Sequence, residues 1–203
     1  CGATGRLSMS IEYIWRYVHR HDAAMADRVL GFMSGGDLAL VHSIENFEDH
    51  PDYGARQVRE IGFGPHDLLV STTEGGETPS VIGATFEAAR ISSRKPFFLY
   101  CNPEEMLVAQ VERSRNVTQS PDIHSICLDV GPMYLSGSTR LQASTVLMLA
   151  AGEALLSNTS ALPAPRTQDL LDALERTPAT LLAPFTAEES RIYAAGSFVL
   201  YET

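Results

Sequence analysis

The hydrophobic positions of this chain follow two alternating patterns. Four short runs are continuously apolar, as expected for strands buried on both faces of a sheet, and they cover 28–33, 67–72, 96–101 and 123–130. The longer stretches between them place apolar residues three or four positions apart, which predicts crossover helices, and they cover 37–47, 53–61, 78–92 and 104–113. Repeated strand-helix units predict an α/β fold, a three-layer α/β/α sandwich with a mostly parallel, doubly wound sheet.

A change in composition divides the chain near residue 160. A longer helix is predicted over 138–156, and Pro163 and Pro165 then indicate a linker before helices at 169–176 and 187–195. We therefore expect an α/β domain over 1–160 and an appendage over 161–203. A glycine-rich turn that opens a helix normally follows a strand. The turn at position 2 therefore predicts that the first domain lacks its first strand.

Composition argues against several classes of protein. The 203 residues include 15 Lys and Arg against 25 Asp and Glu, a net charge of −10, and no basic cluster predicts a nucleic-acid groove. No apolar run approaches the roughly 18 to 20 residues that cross a bilayer, and no secretory signal is recognisable, so a cytoplasmic location is expected. Cys1, Cys101 and Cys127 lie far apart, a pattern that predicts reduced thiols, no zinc site and no cofactor.

Three segments place hydroxyl groups and flexible turns at predicted helix starts. They are Gly2 to Arg6, Ser71 to Pro79 and Ser136 to Arg140. Backbone N–H groups and hydroxyls in such turns can hold an anion, and the helix dipole favours negative charge there. A turn with a helix cap is the alternative for each segment taken alone, but three such segments in one sheet favour a shared site. Since the carboxyl ends of parallel strands share one edge, we predict that the Thr4, Ser71–Thr78 and Ser136–Thr139 hydroxyls converge on one cleft.

The order of six motifs along the chain resembles a known family. The motifs are Gly2-Ala3-Thr4-Gly5-Arg6-Leu7, Ser34-Gly35-Gly36-Asp37, Glu45-Asn46-Phe47-Glu48-Asp49, Thr78-Pro79-Ser80-Val81-Ile82-Gly83-Ala84, Cys101-Asn102-Pro103, and Gly131-Pro132 through Leu135-Ser136-Gly137-Ser138-Thr139-Arg140-Leu141. Across 2–157 they are similar to the branch of sugar isomerase (SIS) domains that contains bacterial N-acetylmuramic acid 6-phosphate etherase and animal glucokinase regulatory protein. The resemblance implies an SIS-like fold that binds a phosphorylated sugar.

The resemblance also implies a set of site residues. The ligand-binding positions would be Gly2, Thr4, Gly5, Glu48, Ser71, Thr72, Thr73, Thr78, Ser136, Ser138 and Thr139. The etherase divides acid and base work between two carboxylates, and Glu48 falls on one of those positions, as the catalytic residue if the chain is an enzyme. Ile14 occupies the other position. Glu12, two residues earlier, is rotated from Ile14 by about 200° around a helix, so the pair is incomplete.

The phosphate loop departs from the family pattern. Where the etherase has Ser-Gly-Arg-Thr-Pro, this chain has Gly75-Gly76-Glu77-Thr78-Pro79, and Glu74 adds a second negative charge. Like charges disfavour a bound phosphate, so both glutamates point away from the ligand, or the ligand binds weakly or is not a phosphate. Met133 and Gln142 also replace a glutamate and a lysine of the family.

Three functions remain open. The first is a non-catalytic regulator that binds a phosphorylated hexose or amino sugar and acts on a sugar kinase or another protein. Its support includes the tail, where Phe185–Glu189 and Val199–Glu202 resemble the segment that leads to a second SIS domain in the regulatory protein. The second is a carbon–oxygen lyase or sugar-phosphate isomerase, and the third a scaffold without ligand. Domain pairing within one chain or a homodimer is expected, with no nucleic-acid or membrane partner.

Overall fold

A computed structural model describes residues 1–2, 5–42, 46–139, 141–157 and 167–200 of the chain. The chain divides into two compact units, Cys1–Ala164 and Pro165–Thr203. The first unit holds the sheet and the candidate site. The second consists of helices α9 (Thr167–Arg176) and α10 (Ala183–Ala194), with a 3-10 helix at Ala179–Leu182 between them. Among its described residues none is buried.

The sheet of the first unit is entirely parallel. Strands β1 (Val70–Thr72), β2 (Phe97–Tyr100) and β3 (His124–Cys127) lie side by side in that order. Gly2 extends the sheet beyond β1, because it makes parallel bridges to Thr72 on one side and to Met33 on the other. The order across the sheet is therefore Met33, Gly2, β1, β2, β3.

Helices cover both faces of this sheet. They are α1 (Gly5–Val18), α2 (Ala23–Ala26), α3 (Gly36–His42), α4 (Pro51–Glu60), α5 (Pro79–Ile91), α6 (Glu104–Gln110), α7 (Glu112–Thr118) and α8 (Gln142–Leu156), with a 3-10 helix at Phe47–Asp49. Side chains alternate between faces along a strand. Phe98 and Tyr100 accordingly join a core cluster with α5 and α7, whereas Leu99 joins a second cluster with Leu147 of α8. The predicted α/β fold with a parallel sheet is confirmed.

Three strand predictions need correction. The run at 67–72 shortens to β1, Val70–Thr72. The run at 28–33 forms no extended strand, and only Met33 bridges to Gly2. Its contact with Gly2 consists of two hydrogen bonds, from the Gly2 N–H to the Phe32 carbonyl and from the Ser34 N–H to the Gly2 carbonyl, both at 3.2 Å. The run at 123–130 shortens to β3, whose residues are exposed or half-buried rather than buried on both faces. β3 is the last strand in the sheet order, so it has a neighbour on one side.

Several helix boundaries also differ from the prediction. The helix predicted over 37–47 does not include Asn46, which has φ +77° and precedes the 3-10 helix at Phe47–Asp49, and the helix predicted over 187–195 begins at Ala183. The helix predicted over 104–113 divides into α6 and α7, because Val111 adopts an extended conformation with φ −122° and ψ 104°. The helix predicted from Ser138 begins at Gln142. The preceding residues form a turn, in which Gly137 has φ +82° and the Ser138 N–H donates to the Leu135 carbonyl at 3.0 Å.

An ion-pair network fixes α5 to α4. The Glu87 carboxylate of α5 accepts hydrogen bonds from Arg59 of α4 at 2.8 Å and from Arg90 at 2.7 and 3.0 Å. Glu87 is buried, and the guanidinium groups of Arg90 and then Arg59 lower its pKa from 4.5 to about 2. This carboxylate therefore stays ionised in the folded protein across the ordinary pH range.

Replacing Glu87 with glutamine is expected to lower the free energy of unfolding by about 2 kcal/mol at pH 7, because charge-assisted hydrogen bonds to two cations are lost. A folded-state pKa below the unfolded value stabilises the protein above pH 4.5, and that stability is lost as the pH falls from about 4.5 to about 2. Urea unfolding across this range should show the loss in the original chain and not in the variant. Glu60→Gln, which removes an exposed pair with Arg56, is the control and should change stability by less than about 1 kcal/mol.

Candidate functional site

The carboxyl edge of the sheet has a topological switch point beside β1. From the first residues the chain crosses to Met33 on one side, and later to β1 and β2 on the other. Ligands of open α/β sheets bind in the crevice at such a point. Gly2 and Thr72 are direct neighbours there, with the Thr72 N–H and hydroxyl both donating to the Cys1 carbonyl, at 2.9 and 3.0 Å.

The segment Thr73–Thr78, which we call the anion loop, connects β1 to α5 at this edge. The Thr73 and Thr78 hydroxyls hydrogen-bond to each other at 2.9 Å. The Ser71 hydroxyl, one residue before Thr72, is fully buried and lies 2.8 Å from Thr85 Oγ1. The Ser71 and Thr72 hydroxyls therefore hydrogen-bond to groups packed around β1. The hydroxyls of Thr73 and Thr78 instead contact each other at the two ends of the anion loop.

The backbone of the anion loop presents unpaired donors. Within the described part of the chain, no protein acceptor receives a hydrogen bond from the N–H groups of Gly75, Gly76, Glu77 or Thr78. Thr78 is the N-cap residue of α5 and makes no capping hydrogen bond through its side chain. Successive N–H groups at a helix start form a concave anion-binding surface. The loop can thus bind oxygen atoms of a phosphate.

Two residues of α7 hold the anion loop from one side. The Ser114 hydroxyl donates to the Gly76 carbonyl at 2.8 Å, and Arg113 Nε donates to the Glu77 carbonyl at 2.6 Å. Gly76 has φ +79°, a left-handed conformation. Neither α7 residue was a candidate in the sequence, because 36 to 38 positions separate them from the loop and no local pattern marks such a contact.

The two glutamates of the loop lie in different environments. Glu74 is buried, and its carboxylate accepts a hydrogen bond from the Ser144 hydroxyl of α8 at 2.9 Å. Glu77 is exposed. Through Ser144, Glu74 connects the anion loop to the start of α8. Glu74 also affects a nearby thiol: burial, and secondarily the Glu74 charge, raises the pKa of the Cys101 thiol to about 12, so this thiol stays protonated at neutral pH.

The third predicted segment, Ser136 to Arg140, is connected to the anion loop through Ser144. The Ser144 N–H donates to the Thr139 carbonyl at 3.3 Å, so the turn before α8 is joined to Glu74 through one residue. Ser136 is exposed, whereas Ser138 and Thr139 are half-buried. Thr4 and Arg140 lie outside the described residues, and Gly5 is the first residue of α1. Convergence of all three hydroxyl groups on one cleft therefore stays a prediction.

A further loop of the resemblance meets the start of α5. The Ser34 hydroxyl, which follows Met33, hydrogen-bonds to the Ser80 hydroxyl in the first turn of α5 at 2.6 Å, and both serines are buried. Glu48 is an exposed residue of the 3-10 helix at Phe47–Asp49, which packs on α5. The loop that follows Met33 therefore lies at the same helix start as the anion loop.

Helix α1 carries both Ile14, at the position of the missing carboxylate, and the nearby carboxylate of Glu12. Glu12 accepts hydrogen bonds from the Gly31 N–H at 2.6 Å and from Arg16 Nε at 2.7 Å, so its carboxylate serves the packing of the chain. Ile14 is 42% exposed on the same helix. Glu12 is therefore already engaged and does not replace the acid that the family has at the Ile14 position.

The described residues contain neither a candidate metal-binding cluster nor a candidate membrane span. Within them, no three His, Cys, Asp or Glu side chains are grouped so that they could hold a metal ion. No described helix has the length and hydropathy that a membrane span requires. All three cysteines are free thiols.

Comparisons with known proteins find one matching family model and a set of similar curated proteins. Residues 1–88 match the model of the glucokinase regulatory protein N-terminal SIS domain. Among curated proteins, the N-acetylmuramic acid 6-phosphate etherase of Synechococcus elongatus is 38% identical over 120 residues, which are 59% of this chain and 35% of that protein. The etherase of Photorhabdus laumondii is 33% identical over 123 residues, or 61% and 37%. That of Brucella anthropi is 37% identical over 121 residues, or 60% and 36%.

The family-model match over residues 1–88 includes Gly2, Met33, β1 and the anion loop. The chain spans just over a third of the length of the curated relatives it matches. The fold, the motif order and these matches agree with one another: over the matched residues, the chain is similar to the N-terminal SIS domain of glucokinase regulatory protein and to N-acetylmuramic acid 6-phosphate etherases.

Proposed function

We propose that this SIS domain binds a phosphorylated sugar, with the phosphate at the anion loop. The proposal rests on the four consecutive N–H groups, from Gly75 to Thr78, that have no acceptor among the described residues. They lie beside the switch point of the sheet, and the Thr73 and Thr78 hydroxyls flank them. The name of the curated relatives, which denotes a 6-phosphate of N-acetylmuramic acid, supports a phosphorylated amino sugar as the ligand.

A lyase is the catalytic form of this proposal, and the named etherase relatives favour it over the regulator. Ether cleavage needs one group to remove a proton beside a carbonyl carbon and another to protonate the leaving oxygen. Glu48 is the candidate for one of these roles. The partner position holds Ile14, which can neither donate nor accept a proton, and loss of one such group typically lowers the rate about 10² to 10⁴-fold.

A non-catalytic regulator is the second form, supported by the match to the regulatory-protein domain over residues 1–88. The contacts of Glu12 with Gly31 and Arg16 also favour it, because they leave α1 without a carboxylate for catalysis at the expected position. Ground-state binding depends on the N–H groups and hydroxyls of the loop, which the missing acid does not affect. In this form the ligand would alter an interaction with a protein partner.

Calorimetry and a lactate assay on this chain test the proposal. Glucosamine 6-phosphate, fructose 6-phosphate and N-acetylmuramic acid 6-phosphate are each titrated, with glucosamine and fructose as unphosphorylated controls. We expect binding of at least one phosphorylated sugar and none of the neutral sugars, since the phosphate supplies the charge that the loop recognises. No binding of any phosphorylated sugar would contradict the proposed function.

Lactate release from N-acetylmuramic acid 6-phosphate separates the two forms. We expect it to be absent or at least about 10²-fold below that of the Synechococcus elongatus etherase, because the second carboxylate is missing. A rate equal to that of the etherase would establish the lyase instead. Glu48→Gln is the matched variant, which should abolish any lactate release and leave binding of the sugar phosphate measurable.

A further inference from the structure

The charge of the anion loop opposes the ligand proposed for it. The loop carries Glu74 and Glu77, and the sequence from Ser71 to Ile82 contains no lysine or arginine. Two negative charges near a phosphate weaken its binding, since like charges disfavour each other's ionised forms. A cation from elsewhere in the fold would therefore favour binding of a phosphate at this loop.

Among the described residues, Arg113 of α7 is a cation that contacts this loop. Its Nε donates to the Glu77 carbonyl at 2.6 Å, while the rest of the side chain is exposed. The guanidinium carries five N–H donors and remains charged at all ordinary pH values. One donor is occupied by the loop carbonyl, so the charge is fixed beside Glu77 with donors remaining for other oxygens.

The contacts of α7 also determine the direction of the N–H groups of the loop. Within a trans peptide unit the C=O and N–H bonds point in opposite directions. The Gly76 carbonyl accepts from Ser114 and the Glu77 carbonyl accepts from Arg113. The N–H groups of the same two peptide units, those of Glu77 and Thr78, therefore point away from α7, and both are among the unpaired donors.

We infer that Arg113 is a positioning residue of the phosphate site that also compensates the charge of Glu77. This inference rests on the proposed function. Arg113, together with Ser114, orients two N–H groups toward the ligand, and hydrogen bonding at a carbonyl strengthens the N–H donor of the same peptide by polarisation. The guanidinium offsets the negative charge that Glu77 brings to a loop where the etherase family has an arginine.

Arg113→Gln tests this role on the whole chain. Calorimetric titration with glucosamine 6-phosphate is expected to give a Kd about tenfold higher than that of the original chain, since a charge-assisted hydrogen bond is lost. The control is Arg115→Gln on the same helix, which removes the same charge. Arg115 donates to the Val108 and Ala109 carbonyls at 2.6 and 3.3 Å, outside the loop, so its variant should keep the original Kd.

Variants of Glu77 test the charge compensation separately from the structural contact, because a purely structural role of Arg113 would not make its effect on the Kd depend on the Glu77 charge. Arg113 touches the Glu77 backbone carbonyl, so an uncharged Glu77 side chain leaves that contact in place. If Arg113 compensates the Glu77 charge, Glu77→Gln should lower the Kd, and the double variant Glu77→Gln with Arg113→Gln should recover most of the lost affinity. Arg113→Lys, which keeps the charge, should recover part of it.

The outcomes separate this inference from the proposed function. Absence of binding of all phosphorylated sugars by the original chain would overturn both. Binding by the original chain with equal Kd values for Arg113→Gln and Arg115→Gln would overturn the role of Arg113 alone. A double variant as weak as Arg113→Gln would overturn the charge compensation, and inorganic phosphate as a second titrant should reproduce the same order of affinities.

Discussion

Gly54→Ala is expected to lower the free energy of unfolding by about 3 kcal/mol or more, because the added methyl group has no space between α4 and α5. A Cβ atom on Gly54 would lie 1.8 Å from the Ser80 carbonyl oxygen and 2.6 Å from its carbon. These are backbone atoms, so the clash is relieved only if the helices separate. A loss of this size is a large part of the roughly 5 to 15 kcal/mol that stabilises a typical domain.

The same contact recurs one turn further along the helix pair. A Cβ on Gly83 would lie 2.0 Å from the Pro51 carbonyl oxygen, so the two backbones approach each other closely at both points. Val58 of α4 and Ala84 and Ala88 of α5 are nearly fully buried in one cluster. Separation of the helices would therefore expose this cluster and also disturb the Ser34–Ser80 hydrogen bond beside the site.

Urea unfolding followed by circular dichroism measures this effect. The matched control is Gly152→Ala in α8, where a Cβ would meet no atom within 4 Å. That variant is expected to be unchanged or more stable by about 0.5 to 1 kcal/mol, since alanine favours a helix over glycine. A Gly54→Ala protein as stable as the original chain would contradict the close approach of α4 and α5.

Local patterns in the sequence were sufficient for much of the fold. The run around Phe98 is continuously apolar because the residues of β2 contact α5 and α7 on one face and α8 on the other. Amphipathic periodicity likewise predicted α4 and α5 to within two residues at each end. Such predictions succeed because burial on a given face imposes a period on the chain itself.

The misplaced elements depend on partners that local patterns do not reveal. The run at 28–33 has strand composition, but a strand exists only where a neighbour completes its hydrogen bonds, and Gly2 supplies one bridge to Met33. The division between α6 and α7 at Val111 brings Ser114 into a buried contact with Gly76. That contact joins residues 38 positions apart, and no helical period predicts it.

In the candidate site, too, features set by adjacent residues could be predicted from the sequence, whereas contacts between distant residues could not. Hydroxyls and glycines at a strand end predicted a turn that opens a helix, and the structure has this turn between β1 and α5, because adjacent residues determine the conformation of a turn. Anion binding by this loop stays a prediction. The sequence left open whether the Glu74 carboxylate points away from a ligand, and in the structure this carboxylate accepts a hydrogen bond from Ser144, 70 positions away. Arg113 was not a candidate, since a cation on a distant helix has no mark in the loop sequence.

Gly76→Ala is expected to abolish sugar-phosphate binding, with a Kd at least about 100-fold higher, because alanine cannot keep the conformation of the anion loop. Gly76 has φ +79°, a region that L-residues rarely adopt, and its Cβ would lie 2.7 Å from Leu107 Cδ1 and 3.1 Å from Tyr100 Cβ. Leu107 and Tyr100 are buried in one cluster, so neither side chain can move away without loss of packing. The loop must shift, and the N–H groups that follow Gly76 shift with it.

Gly62→Ala is the control that separates this effect from backbone strain alone. Gly62 has φ +77°, almost the same as Gly76, yet a Cβ there would meet no atom within 4 Å. Its variant should lose about 1 kcal/mol of stability through the strained conformation and keep its affinity for glucosamine 6-phosphate. Circular dichroism on both proteins verifies that they are folded before calorimetric titration. If folded Gly76→Ala bound the sugar phosphate as well as Gly62→Ala, the anion loop could not be the phosphate site, because its N–H groups would no longer be aligned.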